Sequence, residues 1–237
     1  MGWIIECAVA KTNKHASRES GDTAEIVERP GGGISMIVID GQGSGRAAKT
    51  LSSLLAARAV SLIKDGVRDG AVARAVHDHL FAFRHGQVSA TLDILSVDFR
   101  SRSALVTRNA AAPLVISRGG VVESAPCVAD PIGLFSFNRP AVWELPLEDR
   151  LLIVVGTDGI ASSGRRSGLP DFDLIGATRE LNMAHDSPER LADALLSASI
   201  ARDQGRPADD MTVLVLRVLA DEAGAPIRRM TARIGQA

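Results

Sequence analysis

Three almost wholly apolar runs, each meeting an aspartate at one end, constrain this chain more than any other feature. Residues 34–39 end at Asp40, and residues 151–155 (Leu-Leu-Ile-Val-Val) are followed by Gly156-Thr157-Asp158-Gly159. Residues 211–218 begin directly after Asp209-Asp210. Runs this short, rich in Ile, Val and Leu and bounded by turn residues, read as strands. A strand that is apolar at every position must be covered on both faces. The chain therefore needs layers on either side of its central strands, with acids left where those strands meet loops.

The remaining elements supply such layers. Residues 3–10, 23–28, 90–99, 103–109, 114–117, 121–123 and 141–145 read as further strands, separated by signals such as Pro30-Gly31-Gly32-Gly33. A helix is expected over residues 44–65, with Ala47, Leu51, Leu54, Leu55 and Leu62 on its apolar face. Asp69 is placed to cap a second helix carrying Val72, Val76, Leu80 and Phe83. After a polar loop over residues 162–170, a second helical pair includes Ser187 as a cap, Pro188 at the first helical position and Gly205 just past the end. Strands, helix pair, strands, helix pair and a last strand describe one α+β domain over residues 1–218, followed by a weakly periodic tail over 219–237.

Composition narrows the function classes. At 46% hydrophobic and 23% charged, the 237 residues can bury a sizeable core. With 27 Lys+Arg against 28 Asp+Glu, the balance argues against a grip on nucleic acid or anionic membrane. The chain has no Tyr and is 3% aromatic, which disfavours a base-stacking platform. Cys7 and Cys127 make neither a disulfide framework nor a zinc site and suit a reducing compartment. No apolar run reaches the roughly 18 residues of a membrane span, and the first residues lack a basic leader. A cytoplasmic protein with no nucleic-acid or membrane partner is expected.

A lone Asp-Gly pair is usually a turn. Here Asp40-Gly41 and Asp158-Gly159 each close an apolar strand, Asp209-Asp210 opens another, and Asp22 stands before the strand at 23–28. Carboxylates brought together at one edge repel and raise one another's pKa unless a cation neutralises them. Oxygen donors of this kind suit hard divalent ions such as Mg²⁺ or Mn²⁺.

The order of these pieces resembles the metal-dependent serine/threonine protein phosphatases of the PP2C type. The bacterial branch that includes the sporulation phosphatase and the general-stress regulators is the most similar. The residues that carry the resemblance are Ser20-Gly21-Asp22, the run from Val38 to Gly45 (VIDGQGSG), Thr157-Asp158-Gly159 and Asp209-Asp210-Met211-Thr212, with Asn109 to Leu114 (NAAAPL) and Pro131-Ile132-Gly133-Leu134 between them. The resemblance runs over residues 3–218 and implies a sandwich of two mainly antiparallel β-sheets flanked by helix pairs. It implies a phosphatase that uses two Mn²⁺ or Mg²⁺ ions, the second held weakly. Asp40 would bridge both ions and the Gly41 carbonyl would face the second. Asp158 and Asp209 would complete the first ion's shell, with Asp210 as the alternative to Asp209, and Asp22 would hold metal-bound waters. The implied substrate is a phosphorylated regulatory protein, such as an anti-sigma antagonist or a stressosome scaffold, acted on by a stand-alone phosphatase. The resemblance also implies that helix 44–65 and its partner couple metal binding to a protein partner. PP2C enzymes of the eukaryotic type have an acid where this chain has Gly21 and an upstream phosphate-clamping arginine; Arg18 lies near that place but out of register.

Other motifs compete. Gly43 to Thr50 (GSGRAAKT) is one residue from a nucleotide-binding phosphate loop but has Ala48 where Gly is needed, so Lys49 reads as a helix-surface lysine. A phosphoprotein-binding module that kept the fold without turnover is the other alternative. His77 and His79 point to different helix faces and, like His15, His85 and His185, read as surface or packing residues. The two cysteines read as core residues.

Overall fold

The computed structural model describes residues 2–125, 129–184 and 187–222. Cys127, His185 and most of the expected tail lie outside the described residues. Ten strands form two five-stranded sheets, ordered β1-β10-β9-β6-β7 and β2-β3-β4-β5-β8. They are β1 (Gly2–Thr12), β2 (Asp22–Glu28), β3 (Gly33–Gly41), β4 (Ala90–Asp98), β5 (Ser103–Asn109), β6 (Leu114–Arg118), β7 (Val121–Ala125), β8 (Ala141–Pro146), β9 (Leu151–Gly156) and β10 (Met211–Asp221). Helices α1 (Gly45–Lys64) and α2 (Asp69–Arg84) belong to the second sheet's outer face. The four-residue α3 (Asp158–Ala161) follows β9, and α4 (Leu174–Ala184) and α5 (Pro188–Arg202) cover the first sheet.

The strand sequences explain this layering. In β9, Leu151, Ile153 and Val155 face the space between the sheets while Leu152 and Val154 face α4 and α5, which is why no polar residue interrupts the run. Strand β10 alternates in the same way, with Leu214, Leu216 and Val218 inward and Val213 and Val215 outward. In β3, Met36 and Val38 enter the inter-sheet core and Ile37 and Ile39 meet the helices. Each such side chain fully buried adds about 1.5–3 kcal/mol.

Four local expectations are corrected. The buried face of α1 runs through Ala48, Leu51, Leu55, Ala59 and Ile63, whereas Ala47 and Leu54 are exposed. Phe83 of α2 is likewise exposed. Asp69 does not cap α2: Arg68 holds the cap position, and the buried Asp69 carboxylate pairs with Arg29 at 2.7 Å. Strand β10 runs on to Asp221, with Leu219, Ala220 and Asp221 opposite Ile4, Trp3 and Gly2, three residues past the strand end expected at 218. At α5, by contrast, Ser187 Oγ accepts from the Arg190 amide with Pro188 at the first turn, as the sequence requires. Cys7 is a free thiol packed against the inter-sheet core, and its burial pushes its pKa up.

Candidate metal centre

The antiparallel register sets Asp22 of β2 directly opposite Asp40 of β3. Both occupy the face that carries Val38 and Met36, so they look into the gap between the sheets at its rim. Like charges directly opposite on a sheet repel. On the other sheet, β9 ends at Gly156, and Asp158 is the first residue of α3; Asp209 and Asp210 immediately precede β10. The two sheets are fastened at this rim by Asp22. Its Oδ2 accepts from the hydroxyls of Thr212 (2.5 Å) and Thr157 (3.3 Å), and Thr157 Oγ1 in turn accepts from the Thr212 amide at 3.0 Å. Asp22 Oδ1 is buried and has no hydrogen-bond partner among the described residues.

Electrostatics follow from that crowding. Burial, then the charges of Asp22 and Asp158, a hydrogen bond with Asp158 and the charge of Asp209 push Asp40 up to about 9. Burial also pushes Asp22 up to about 6, the Thr212 hydroxyl working against it and the charge of Asp210 with it. Asp209 is raised by burial, offset by the Asp210 amide on its carboxylate and assisted by the charge of Asp158. Without a cation Asp40 thus holds its proton more tightly than an isolated carboxylate, which relieves part of the repulsion a cation would otherwise have to offset.

The neighbouring acids have different employment. Asp210 Oδ1 accepts from the Lys14 amide (2.8 Å) and Oδ2 from the Gly21 amide (2.7 Å), so this carboxylate pins the loop leading to Asp22. Among the described residues, Asp209 Oδ1 accepts only from the amide of Asp210, at 3.0 Å. Among the described residues, no Lys, Arg or His forms an ion pair with Asp22, Asp40, Asp158, Asp209 or Asp210. Two glycines allow the close approach. A Cβ on Gly41 would lie 2.6 Å from the Ala48 carbonyl, and one on Gly159 would lie 2.0 Å from the Asp210 carbonyl. Gly41 therefore lets α1 seat on the end of β3, and Gly159 lets α3 seat against the start of β10.

The donor set fits a hard cation. Every donor is oxygen, and among the described residues the acids form no ion pair and one buried oxygen of Asp22 is unsatisfied. The acids form a rim, not a finished shell: among the described residues, no three Asp, Glu, His or Cys groups already close on a common point.

Sequence reasoning missed the groups that brace the rim. Thr157 and Thr212 lie inside the quoted motifs but were given no role. Lys11 Nζ donates to the Asp22 carbonyl at 3.0 Å. Lys49, expected on the helix surface, is partly buried and donates to that same carbonyl at 3.0 Å and to Thr23 Oγ1 at 2.9 Å. The signal for Lys11 was present, since Trp3, Ile5, Cys7 and Val9 pack inward and Lys11 follows them in the same alternation, although at the strand's end it is itself exposed. Arg18 is exposed and makes no ion pair among the described residues. In the 162–170 loop, Arg165 pairs with Asp171 at 2.5 Å. Every strand pair described is antiparallel, so the parallel β–α–β unit of a phosphate-loop nucleotide hydrolase does not arise. His77 is buried, its Nδ1 accepting from the Gly133 amide at 3.1 Å, which makes it a packing residue.

Two antiparallel sheets between helix pairs, with an aspartate rim at one end, are the architecture of the PP2C fold. The phosphatase domain of SpoIIE from Bacillus subtilis, solved with a fragment of its regulatory domain, superposes with a TM-score of 0.79 at 23% identity, over 90% of this chain and 63% of that one. RsbX in complex with magnesium superposes with a TM-score of 0.70 at 17% identity, over 90% and 95%. Residues 30–219 match the family model for stage II sporulation protein E, and the chain belongs to that family. The stage II sporulation protein E of Priestia megaterium is 20% identical over 216 residues, which are 91% of this chain and 37% of that protein. The chain thus spans little over a third of that relative's length. Among the described residues, no helix is long and apolar enough to cross a membrane.

Proposed function

We propose that this chain is a divalent-cation-dependent phosphatase that hydrolyses phosphoserine or phosphothreonine in a cytoplasmic regulatory protein, such as an anti-sigma antagonist or a stressosome-type scaffold. Its catalytic unit is a single domain ending with β10. The observation that carries this reading is the pairing of Asp22 with Asp40 across β2 and β3, on a rim shared with Asp158 and Asp209 and with one buried Asp22 oxygen left unpaired. Asp40 would bridge two ions, Asp158 and Asp209 would hold the first, the Gly41 carbonyl would meet the second, and Asp22 would orient the waters around them. Asp209 is preferred to Asp210 because Asp210 spends both oxygens on backbone amides.

Mn²⁺ or Mg²⁺ held there would neutralise the phosphate and make a water acidic enough to attack phosphorus at neutral pH. The chain's own part is to hold its acids against their mutual repulsion. Thr157 and Thr212 fix one oxygen of Asp22, and Gly41 and Gly159 bring the backbones of α1 and α3 within reach of the rim. Water adds to phosphorus, the serine or threonine oxygen leaves with a proton, and inorganic phosphate is released with no phosphoenzyme. p-Nitrophenyl phosphate hydrolysis with Mn²⁺ added and then chelated tests this. Turnover should appear with the ion and vanish with the chelator, and Asp40→Ala should abolish most of it with the fold retained. Absence of ion-dependent turnover would overturn the reading in favour of a binding module.

A further inference from the structure

We propose that Lys11 and Lys49 form a fixed positive pair behind Asp22 that sets how tightly the acid rim holds divalent cations. The inference rests on the metal reading above and extends it to residues outside the ligand set.

The two ammonium groups come from unrelated elements, Lys11, an exposed residue, from the end of β1 and the partly buried Lys49 from the second turn of α1. Both reach the main-chain carbonyl of Asp22, each at 3.0 Å, and Lys49 adds Thr23 Oγ1 at 2.9 Å. Among the described residues, neither donates to a carboxylate oxygen of Asp22: Oδ2 is taken by two threonine hydroxyls and Oδ1 has no partner. Two like charges on one neutral acceptor are costly in themselves, and a single hydroxyl would satisfy that carbonyl. The arrangement is explained by what surrounds it. Five aspartates stand at this rim without an ion pair among the described residues, and two nearby positive charges lower their mutual repulsion through space. The same two charges repel an arriving cation. The pair therefore stabilises the rim without ions and weakens its hold on them, giving ions that exchange instead of being locked in.

Isothermal titration of Mn²⁺ into the full chain at pH 7.5 tests this. Lys49→Gln keeps a donor for the Asp22 carbonyl but removes the charge, and should bind Mn²⁺ about tenfold more tightly than the wild type, the effect of one ammonium acting on a divalent ion across a partly solvated gap. Lys49→Arg keeps the charge and should stay within about twofold of the wild type. In chelator, Lys49→Gln should melt at a lower temperature than the wild type, because the acids lose a compensating charge. If Lys49→Gln fails to fold, Lys11→Gln carries the same expectation. Unchanged or weaker binding in the glutamine variant, or an arginine variant that behaves like it, overturns the inference and leaves a merely structural clamp. A wild type that binds no Mn²⁺ overturns the metal reading and this inference with it.

Discussion

Asp40 and Asp22 titrate far above the value of about 4 that each would have in an unfolded chain. The folded state therefore binds more protons than the unfolded state between about pH 4 and pH 9. Stability in chelator is greatest below that window and falls as pH rises, first through the Asp22 titration near 6 and then through that of Asp40 near 9. Melting temperature in EDTA should drop from pH 5 to pH 9, and Mn²⁺ should raise it by an increment that grows with pH. Asp40→Asn removes the upper part of this loss and should melt higher than the wild type at pH 8 in EDTA, by at least about 2–4 °C. A pH-independent melt would contradict this crowding. Asp209 and Asp210 separate in the same experiments. Asp210→Ala strips the acceptor from the Lys14 and Gly21 amides and should cost about 2 kcal/mol or more by urea denaturation. Asp209→Ala should leave stability within about 1 kcal/mol while weakening Mn²⁺ binding.

Among the elements, α3 and α1 show what local sequence can and cannot reveal. Asp158-Gly159 reads as a turn, yet it opens a one-turn helix packed so closely on the start of β10 that a Cβ at Gly159 would strike the Asp210 carbonyl. Gly159→Ala should lower the melting temperature and reduce turnover together, since the backbone must move and Asp158 moves with it; an alanine variant matching the wild type in both would contradict the packing. The strand ends were legible because the apolar runs are unbroken and the acids interrupt them. The helix face of α1 was not. Reading Ala47, Leu54 and Leu62 into the buried arc in place of Ala48, Ala59 and Ile63 turns its centre by roughly 70°, at about 100° per residue. That rotation turned Lys49 from a group gripping Asp22 into a surface lysine. Ala47 and Ala48 are identical side chains, and only packing against Gly41 tells them apart. The pairing of Asp22 with Asp40 was also invisible, because it depends on the β2–β3 register across the Gly-rich turn at residues 31–33.

Across the whole molecule, four layers hold the rim in place, and the inter-sheet layer is not wholly apolar. Asp93 and Arg108, cross-strand partners on β4 and β5, form a buried ion pair, and Arg108 also reaches the Ala112 carbonyl at 2.8 Å. Asp93 lies opposite Val38, two residues along β3 from Asp40. Asp93→Ala leaves a buried guanidinium without its carboxylate and should cost about 3–5 kcal/mol by urea denaturation. The double change Asp93→Leu with Arg108→Met should recover much of that loss. The alternation that directs core residues inward predicted neither member, because charged residues at inward positions read as exposed until both partners are known. The domain as a whole is thus a scaffold that forces acids together, a crowding that divalent ions held through Asp40 would make productive. The direct test is Mn²⁺-dependent release of inorganic phosphate from a phosphoserine peptide by the wild type and Asp40→Asn side by side. Release that rises with Mn²⁺ in the wild type and is absent in a folded Asp40→Asn bears the account out; equal release by both, or release that EDTA leaves untouched, contradicts it.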